Sequence, residues 1–149
     1  MKISFYILFI TFSFIALLSA NENSYYLILK NNEVNVRYGP GFDYPIKYVY
    51  KKKNLPVKVI DKKENFKKII DFKKNSGWIH ASQLKKGKSF ILLKDQILFT
   101  KPTKYSKPLF KVAKGRLLLI KKCNQNWCMI KTENYTGWIK SENVWGAFK

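Results

Sequence analysis

The sequence predicts an all-β chain of two small antiparallel barrels in tandem, packed together and preceded by a signal peptide. The phrase Gly-Trp-Ile occurs twice, at 77–79 and 137–139, and each copy follows a short apolar run that begins with an aromatic residue. Repetition at a spacing of about 60 residues indicates two copies of one small module. The apolar runs are short, are separated by turn residues and show no helical period, which favours strands.

The first twenty residues have the outline of a secretory signal peptide. A positive start at Met1-Lys2 is followed by an uncharged apolar run over residues 3–18 and by the small residues Ser19 and Ala20. We expect cleavage after Ala20 and a periplasmic or secreted mature chain without a membrane span. The alternative is an uncleaved anchor, although the apolar run is shorter than the roughly 20 residues that a spanning helix needs.

The predicted strands of the first repeat, residues 27–84, are short apolar or alternating runs between polar turns. In chain order they are Tyr25–Leu29, Val34–Arg37, Tyr44–Tyr50, Pro56–Ile60, Phe66–Ile70 and Gly77–His80. Val34 with Val36, and Val57 with Val59, place alternate side chains on one buried face. A series of short strands without a helix is typical of a small antiparallel barrel.

Glycines carry two expectations in this repeat. The turn Gly39-Pro40-Gly41 is expected to use positive φ at its glycines. Gly77 is expected to let its strand pass close to a neighbouring strand, and Trp78 to cap one end of the small core. Gly-Trp-Ile is therefore interpreted as the closing strand of the barrel and as a structural signature.

The second repeat, residues 90–146, follows the same plan with one departure. Its predicted strands are Phe90–Leu93, Ile97–Phe99, Pro108–Val112, Leu117–Ile120, Trp127–Lys131, Tyr135–Ile139 and Val144–Gly146. Gly137 and Trp138 repeat the structural signature, but residues 101–103, Lys-Pro-Thr, replace the Gly-Pro-Gly turn, so this copy is expected to be degenerate there. The junction, residues 85–88, is too short for free movement, so we expect the two barrels to pack in a fixed relation.

The two cysteines, Cys123 and Cys128, bracket an Asn-rich turn between two predicted strands. Their sulfurs can face each other across the hairpin, and we favour a structural disulfide in an oxidising compartment. A metal site lacks further ligands, because the only histidine is His80 in the other repeat. Redox catalysis is weakly supported by the spacing. We therefore predict neither a metal nor a cofactor.

A family resemblance rests on several motifs together. Asn-Val-Arg-x-Gly-Pro-Gly at 35–41, a later Val-x-Val strand, an aromatic-x-x-Ile strand and Gly-Trp-Ile at 77–79 are similar to the bacterial SH3-like (SH3b) domain. The run Tyr-Pro-Ile-Lys-x-Val-Tyr at 44–50 and the pair Trp127-Cys128 resemble exported proteobacterial proteins with two tandem SH3-like repeats. The resemblance covers residues 27–146 and implies two SH3-like barrels that bind peptidoglycan peptides or envelope proteins.

The residues offer no catalytic arrangement. A Ser-His-acid or Cys-His pair would need His80, which has no evident route to either cysteine. The nine acidic residues form no convincing pair for glycoside hydrolysis, and no glycine-rich phosphate loop opens a helix. The sequence therefore predicts a protein that is not an enzyme.

The predicted ligand-binding residues surround the Gly-Pro-Gly loop: Arg37, Tyr38, Phe42, Tyr44 and Tyr48. SH3 folds bind extended peptides along aromatic-lined grooves, and this loop holds the aromatic residues. Ordinary barrel packing is the competing interpretation for each aromatic residue. Arg37 is expected to bond to nearby turn carbonyls or to pair with Asp43 rather than to touch a partner.

The charge leaves further alternatives open. The formal net charge is +20, and only Arg37 and Arg116 are arginines. This lysine excess is either compositional drift or a device for attracting anionic polymers. A structural or assembly protein of the envelope without a cell-wall ligand is the alternative function. Nucleic-acid binding is disfavoured, because export argues against it and lysine lacks the bidentate phosphate recognition of arginine.

Overall fold

The computed structural model describes residues 24–132 and 134–147, and the predicted signal peptide lies outside the described residues. The described chain is all-β, with one short 3-10 turn at Ala81–Gln83. The strands are β1 Tyr25–Leu29, β2 Val34–Arg37, β3 Ile46–Tyr50, β4 Pro56–Lys63, β5 Phe66–Ile70, β6 Ser76–His80, β7 Leu84–Lys85, β8 Ser89–Leu92, β9 Gln96–Phe99, β10 Pro108–Val112, β11 Leu117–Cys123, β12 Trp127–Lys131, β13 Thr136–Lys140 and β14 Val144–Ala147. None of the described segments is a helix long and apolar enough to cross a membrane.

The two repeats form two seven-stranded sheets with the same strand order. The first sheet runs β3-β2-β6-β5-β4-β1-β7 and the second runs β10-β9-β13-β12-β11-β8-β14. Each strand of the first repeat thus has a counterpart seven strands later, at the same place in its sheet. The prediction of an all-β chain with two tandem barrels is confirmed.

The Gly-Trp-Ile strand is not the closing strand of the barrel, contrary to the prediction from sequence. β6 lies inside its sheet, between β2 and β5, and the chain then continues through a 3-10 turn into β7, which pairs with β1. β7 has only two residues and is too short to be predicted from sequence, whereas its counterpart β14 was predicted as Val144–Gly146. Gly-Trp-Ile is better described as the strand that joins the β2–β3 hairpin to the rest of the sheet.

Both signature glycines stand where strands come unusually close. A Cβ at Gly77 would overlap the Val36 side chain and lie 3.0 Å from the Arg37 carbonyl oxygen. A Cβ at Gly137 would lie 2.7 Å from Leu98 Cγ, at the equivalent place of the second repeat. The expected close approach is therefore present in both copies.

The signature tryptophans do not cap the cores. Ile79 is fully buried, whereas Trp78, its neighbour along β6, is half-buried and lies outside the core cluster. Trp138 is likewise half-buried, with the Lys122 ammonium 5.7 Å from its ring centroid. Successive side chains of a strand point to opposite faces, so the indoles lie on the outer face.

The two cores meet at the junction, as the short linker predicts. Ile91 of β8 belongs to the core of the first repeat, together with Leu29 and Val57. Ser89 Oγ donates to the Asn54 carbonyl oxygen at 2.8 Å across the junction. The rings of Tyr26 and Trp145 pack edge to face with their centroids 5.5 Å apart. The barrels are therefore held in one fixed relation.

A disulfide joins Cys123 and Cys128 across the β11–β12 hairpin, which confirms the predicted structural bridge. The two residues are directly opposite each other in the ladder, and Cys128 is fully buried in the second core. The bridge thus fixes the end of the hairpin beside the turn that precedes Trp127.

Removing the bridge is expected to lower the free energy of unfolding. For a loop this short, the chain-entropy model gives about 2 kcal/mol. The double variant Cys123→Ala with Cys128→Ala should show this loss in urea denaturation. A reducing agent should give a similar loss in the unsubstituted chain and no loss in the variant. An unchanged midpoint on reduction would contradict a stabilising role.

A hydroxyl network lies beside the core of the first repeat. Tyr50 Oη donates to Asp71 Oδ2 at 2.9 Å, and the Tyr48 and Tyr50 hydroxyl oxygens lie 3.3 Å apart. The buried Asp71 carboxylate also accepts from the backbone N–H groups of Lys73 and Asn75. Burial, reinforced by the contact with Tyr48, raises the pKa of Tyr50 well above its ordinary value.

This raised pKa predicts a loss of stability in alkali. The unfolded Tyr50 releases its proton above about pH 10, while the folded one keeps it, so stability falls as pH rises past that point. Tyr50→Phe should cost about 1 kcal/mol at neutral pH through the lost hydrogen bond. The difference in the free energy of unfolding between wild type and variant should then become smaller above about pH 10. Denaturation at several pH values measures this, with the exposed Tyr105→Phe as control; a gap that widens in alkali would contradict the network.

Candidate ligand groove in the second repeat

The loop that joins β2 to β3, residues 38–45, is held by the first predicted site residue. Arg37 Nη1 donates to the carbonyl oxygens of Phe42 at 3.2 Å and Tyr44 at 2.7 Å. Among the described residues no ion pair joins Arg37 to Asp43. The guanidinium therefore bonds to turn carbonyls, the first of the two structural expectations for it.

Phe42 lies over a cleft of its own repeat and is itself 64% exposed. Its ring centroid lies 5.3 Å from that of Phe66 and 5.2 Å from that of His80, and the Arg37 guanidinium carbon lies 5.4 Å from it. Phe66 is buried at the start of β5, and His80 ends β6. The ring thus occupies the space between loop 38–45 and the ends of two strands, while its outer side stays exposed.

The loop glycines do not adopt positive φ, so that expectation is wrong. A Cβ at Gly39 would overlap the Tyr44 ring, which lies directly on this residue. Glycine is needed at 39 because an aromatic side chain covers the backbone. Tyr44 remains about half exposed despite this contact.

The other two predicted site residues lie apart from each other. Tyr38 is 63% exposed, with the Lys47 ammonium 5.6 Å from its ring centroid. Tyr48 pairs with Val36 across β2 and β3 and packs against the first core. The structure therefore brings Arg37, Phe42 and Tyr44 together, leaves Tyr38 at the surface and separates Tyr48 from them.

The second repeat keeps the loop backbone although it lacks the glycines. The backbone hydrogen bonds of the two loops correspond one to one. In loop 38–45, the N–H groups of residues 38, 41 and 44 donate to the carbonyl oxygens of residues 45, 39 and 41, respectively. In loop 100–107, the N–H groups of residues 100, 103 and 106 donate to the carbonyl oxygens of residues 107, 101 and 103, respectively. Ser106 stands where the first repeat has Tyr44, and its hydroxyl bonds to the carbonyls of Lys101 and Thr103. The expected degeneracy therefore affects the side chains and not the fold of the loop.

An open groove of about 730 Å³ lies where Phe42 sits in the first repeat. Its lining residues are Pro102, Thr103, Lys104, Asn126, Trp127, Lys140, Ser141 and Glu142. Lys104 takes the place of Phe42, and its ammonium lies 5.2 Å from the centroid of the exposed Tyr105 ring. The cleft that an aromatic ring covers in one repeat is therefore free in the other.

The groove has an aromatic floor. The rings of Phe99 and Trp127 meet edge to face with centroids 5.6 Å apart, and both residues are half-buried. A smaller cleft of about 280 Å³ adjoins it and shares Lys104, Lys140 and Glu142. Phe99 and Ile97 line the smaller cleft, and Trp127 lines the larger one. We name the two clefts together the second-repeat groove.

Charges of both signs line the second-repeat groove. Lys140 Nζ lies 3.4 Å from Glu142 Oε1, and Lys104 stands on the facing loop. At the far end, hydrogen bonds from the Lys111 ammonium and the Lys114 backbone N–H lower the pKa of Asp95. Lysine ammonium groups and backbone amides can bind carboxylate and carbonyl oxygens, while the aromatic floor takes apolar side chains.

The disulfide braces one wall of this groove. Directly after Cys123, the side chain of Asn124 accepts from the Trp127 backbone N–H at 2.9 Å. The Ser141 backbone N–H donates to the Asn126 carbonyl oxygen at 2.9 Å and ties the turn to the end of β13. In the first repeat, the Ala81 backbone N–H donates to the Asn65 carbonyl oxygen in the equivalent way. That repeat has no disulfide, because both cysteines lie in the second repeat.

The family described as the bacterial SH3 domain matches the chain twice, over residues 30–86 and 94–146. The chain belongs to the bacterial SH3 domain family. This family assignment agrees with the tandem SH3-like repeats that the motifs predict, and the second-repeat groove is thus a feature of its second SH3 domain. No curated protein matches the chain.

Several solved structures are similar to the chain at low sequence identity. NlpC2 from Trichomonas vaginalis has a TM-score of 0.38 and 14% identity, and the match covers 83% of this chain and 48% of that one. NlpC1 from Trichomonas vaginalis has a TM-score of 0.37 and 15% identity, and the match covers 89% of this chain and 50% of that one. An NlpC/P60 family protein from Bacillus cereus ATCC 10987 has a TM-score of 0.39 and 13% identity, and the match covers 81% of this chain and 56% of that one. The chain spans about half the length of these proteins.

The groove was not predicted, because the predicted site rested on the aromatic residues around the Gly-Pro-Gly loop of the first repeat. The informative signal was a loss: Phe42 is replaced by Lys104 while Phe66 is replaced by another large aromatic residue, Trp127. The second repeat thus keeps a large aromatic residue at the base of the cleft but lacks the ring that lies over it, and this pattern indicates an open cleft. Within the described part of the chain, no group of His, Cys, Asp and Glu side chains could hold a metal ion.

Proposed function

We propose that this bacterial SH3 domain protein is a non-catalytic binding module of the cell envelope that takes a peptidoglycan peptide in the second-repeat groove. The observation that supports it is the contrast between two equivalent clefts. Phe42 covers the first, while the second is open, has an aromatic floor and is lined by lysines. We further propose that the chain acts outside the cytoplasm, in keeping with its disulfide.

The chemistry of the groove suits a short extended peptide with free carboxylates. Lys104 and Lys140 both line the groove and can each meet a carboxylate, although Lys140 must share its charge with Glu142. Small apolar side chains of such a peptide would rest on Trp127 and Phe99. The Thr103 and Ser141 hydroxyls add donors and acceptors for its backbone.

Sedimentation with purified peptidoglycan, in competition with soluble muropeptides, tests the proposal. The chain should sediment with peptidoglycan, and muropeptides should release it. High salt should weaken binding only in part, because the aromatic floor contributes as well as the charges. Failure to bind peptidoglycan, together with one dominant protein partner in crosslinking, would instead support the alternative of a structural protein of the envelope.

A further inference from the structure

A further cleft of about 580 Å³ lies in the second repeat, apart from the second-repeat groove. It is bounded by the end of β10, the start of β11 and the β12–β13 turn, and it shares no lining residue with the groove. Its lining residues include Phe110, Val112, Arg116, Leu118, Ile130 and Tyr135. We name it the β10–β11 cleft.

In the first repeat, a tyrosine ring occupies the position that Val112 has at this cleft. Tyr50 corresponds to Val112, because each ends the edge strand of its sheet and pairs with the first residue of the neighbouring strand, Val34 or Gln96. Tyr50 packs against the first core, and its hydroxyl donates to Asp71 at 2.9 Å. Valine at position 112 has no ring, so the second repeat lacks this filling.

Arg116 stands where the first repeat buries an apolar side chain. The Leu29 N–H donates to the Leu55 carbonyl oxygen at 3.0 Å, and the Leu92 N–H donates to the Arg116 carbonyl oxygen at 3.2 Å, so the two positions correspond. Leu55 is buried, whereas Arg116 is exposed and lines the cleft. The second repeat therefore has a cation in place of an apolar core residue.

Two aromatic rings stand open at this cleft. The Phe110 and Tyr135 ring centroids lie 4.9 Å apart, and the two residues are 38 and 52% exposed. The Thr132 N–H donates to the Tyr135 carbonyl oxygen at 2.8 Å, which fixes the turn that carries the second ring. A further ring can therefore pack against an aromatic pair that is already in place.

The positive charge at the cleft is local. Arg116 and Lys111 line it, and none of its described lining residues is acidic. The Lys111 ammonium lies 2.8 Å from the Asp95 carboxylate, whereas no salt bridge of Arg116 lies within the described part of the chain. A guanidinium presents two parallel N–H donors to one carboxylate, so Arg116 suits this group.

We propose that the β10–β11 cleft binds the carboxyl-terminal aromatic residue of a peptide. The ring of the ligand packs beside Phe110 and Tyr135, at the position that the Tyr50 ring has in the first repeat. Its terminal carboxylate pairs with Arg116. The missing ring and the unpaired cation thus indicate the same ligand. This site is separate from the second-repeat groove, so the two binding proposals can fail independently.

Calorimetric titration tests the proposal on the chain from Asn21 onward, which retains both sheets. The probe is the peptide acetyl-Gly-Gly-Phe with a free carboxyl terminus. Its carboxyl-terminal amide lacks the charge, and acetyl-Gly-Gly-Ala with a free carboxyl terminus lacks the ring. Each comparison peptide should bind about tenfold more weakly than the probe, because it loses one of the two contacts.

Variants of the chain assign the binding to this cleft. Arg116→Gln should weaken binding of the probe about tenfold. The matched control Lys121→Gln removes one positive charge at an exposed position that does not line the cleft, and it should change binding less than about twofold. Glu133→Gln, at a position outside the described residues, should not weaken binding. Val112→Tyr with Thr132→Asp introduces the first repeat's residues and should abolish binding of the probe while muropeptide binding is kept.

Preference for the aromatic free acid, lost selectively in Arg116→Gln, would support the proposal. Equal binding of the acid and the amide, or equal losses in Arg116→Gln and Lys121→Gln, would overturn it. Binding of 3-phenylpropionate as tightly as the peptide would overturn the assignment to a peptide terminus. Circular dichroism of each variant checks that the fold is kept.

Discussion

Replacing Trp127 by alanine is expected to weaken peptidoglycan binding about 30-fold or more, which corresponds to about 2 kcal/mol. Trp127 forms the floor of the second-repeat groove with Phe99 and stands beside the braced turn at Asn126. Its removal takes away an aromatic ring of the groove and the edge-to-face contact with Phe99. Titration with soluble muropeptides, followed by calorimetry, measures the loss.

A matched variant separates binding from folding. Trp78→Ala removes a tryptophan of the first repeat that is half-buried, as Trp127 is, but lies away from the groove. It should leave the dissociation constant within about twofold of the wild-type value while lowering stability to a similar degree. Equal weakening of binding by both variants would show that Trp127 acts only through stability.

Replacing Gly77 by alanine is expected to lower the free energy of unfolding by about 3 kcal/mol. The new methyl group would overlap the buried Val36 side chain and press on the Arg37 carbonyl oxygen. A backbone oxygen in a sheet cannot move aside as a flexible side chain can, so β2 and β6 would have to separate. Chemical denaturation monitored by tryptophan fluorescence measures the change.

Two other glycines calibrate this effect. The three atoms nearest to a Cβ at Gly137 all belong to the Leu98 side chain, so Gly137→Ala should cost less than Gly77→Ala. Gly41→Ala meets the Tyr44 ring at 3.4 Å, an ordinary contact, and should be within about 0.5 kcal/mol of wild type. Similar costs at 41 and 77 would contradict the close approach of β2 and β6.

Strand positions could be predicted because local patterns determine them. Alternation of Val34 with Val36 marks a strand with one buried face, and both side chains are fully buried. Polar turns mark where most strands end, and the Asn-rich turn correctly placed the two cysteines opposite each other. The β4 strand ran further than expected, to Lys63, because charged side chains can continue a hairpin beyond the core.

The site could not be predicted in the same way because it depends on contacts between distant residues. Phe42 meets Phe66 and His80 only after the loop folds over two strands, and no local pattern shows that meeting. Tyr48 has the same residue type as Tyr38, yet its position opposite Val36 turns it toward the core. Aromatic residues near a loop thus indicated a binding surface without showing which ring covers a cleft and which cleft stays open.

The most direct test is a ¹⁵N NMR titration of the chain with soluble muropeptides, read residue by residue. Amide shifts are expected to concentrate around the second-repeat groove, at Thr103, Asn126, Trp127 and Ser141. The equivalent amides of the first repeat, at Gly41, Asn65 and Ala81, should stay nearly unchanged, because Phe42 covers that cleft. Shifts centred on the first repeat, or no shifts in the second-repeat groove at saturating muropeptide, would contradict the account.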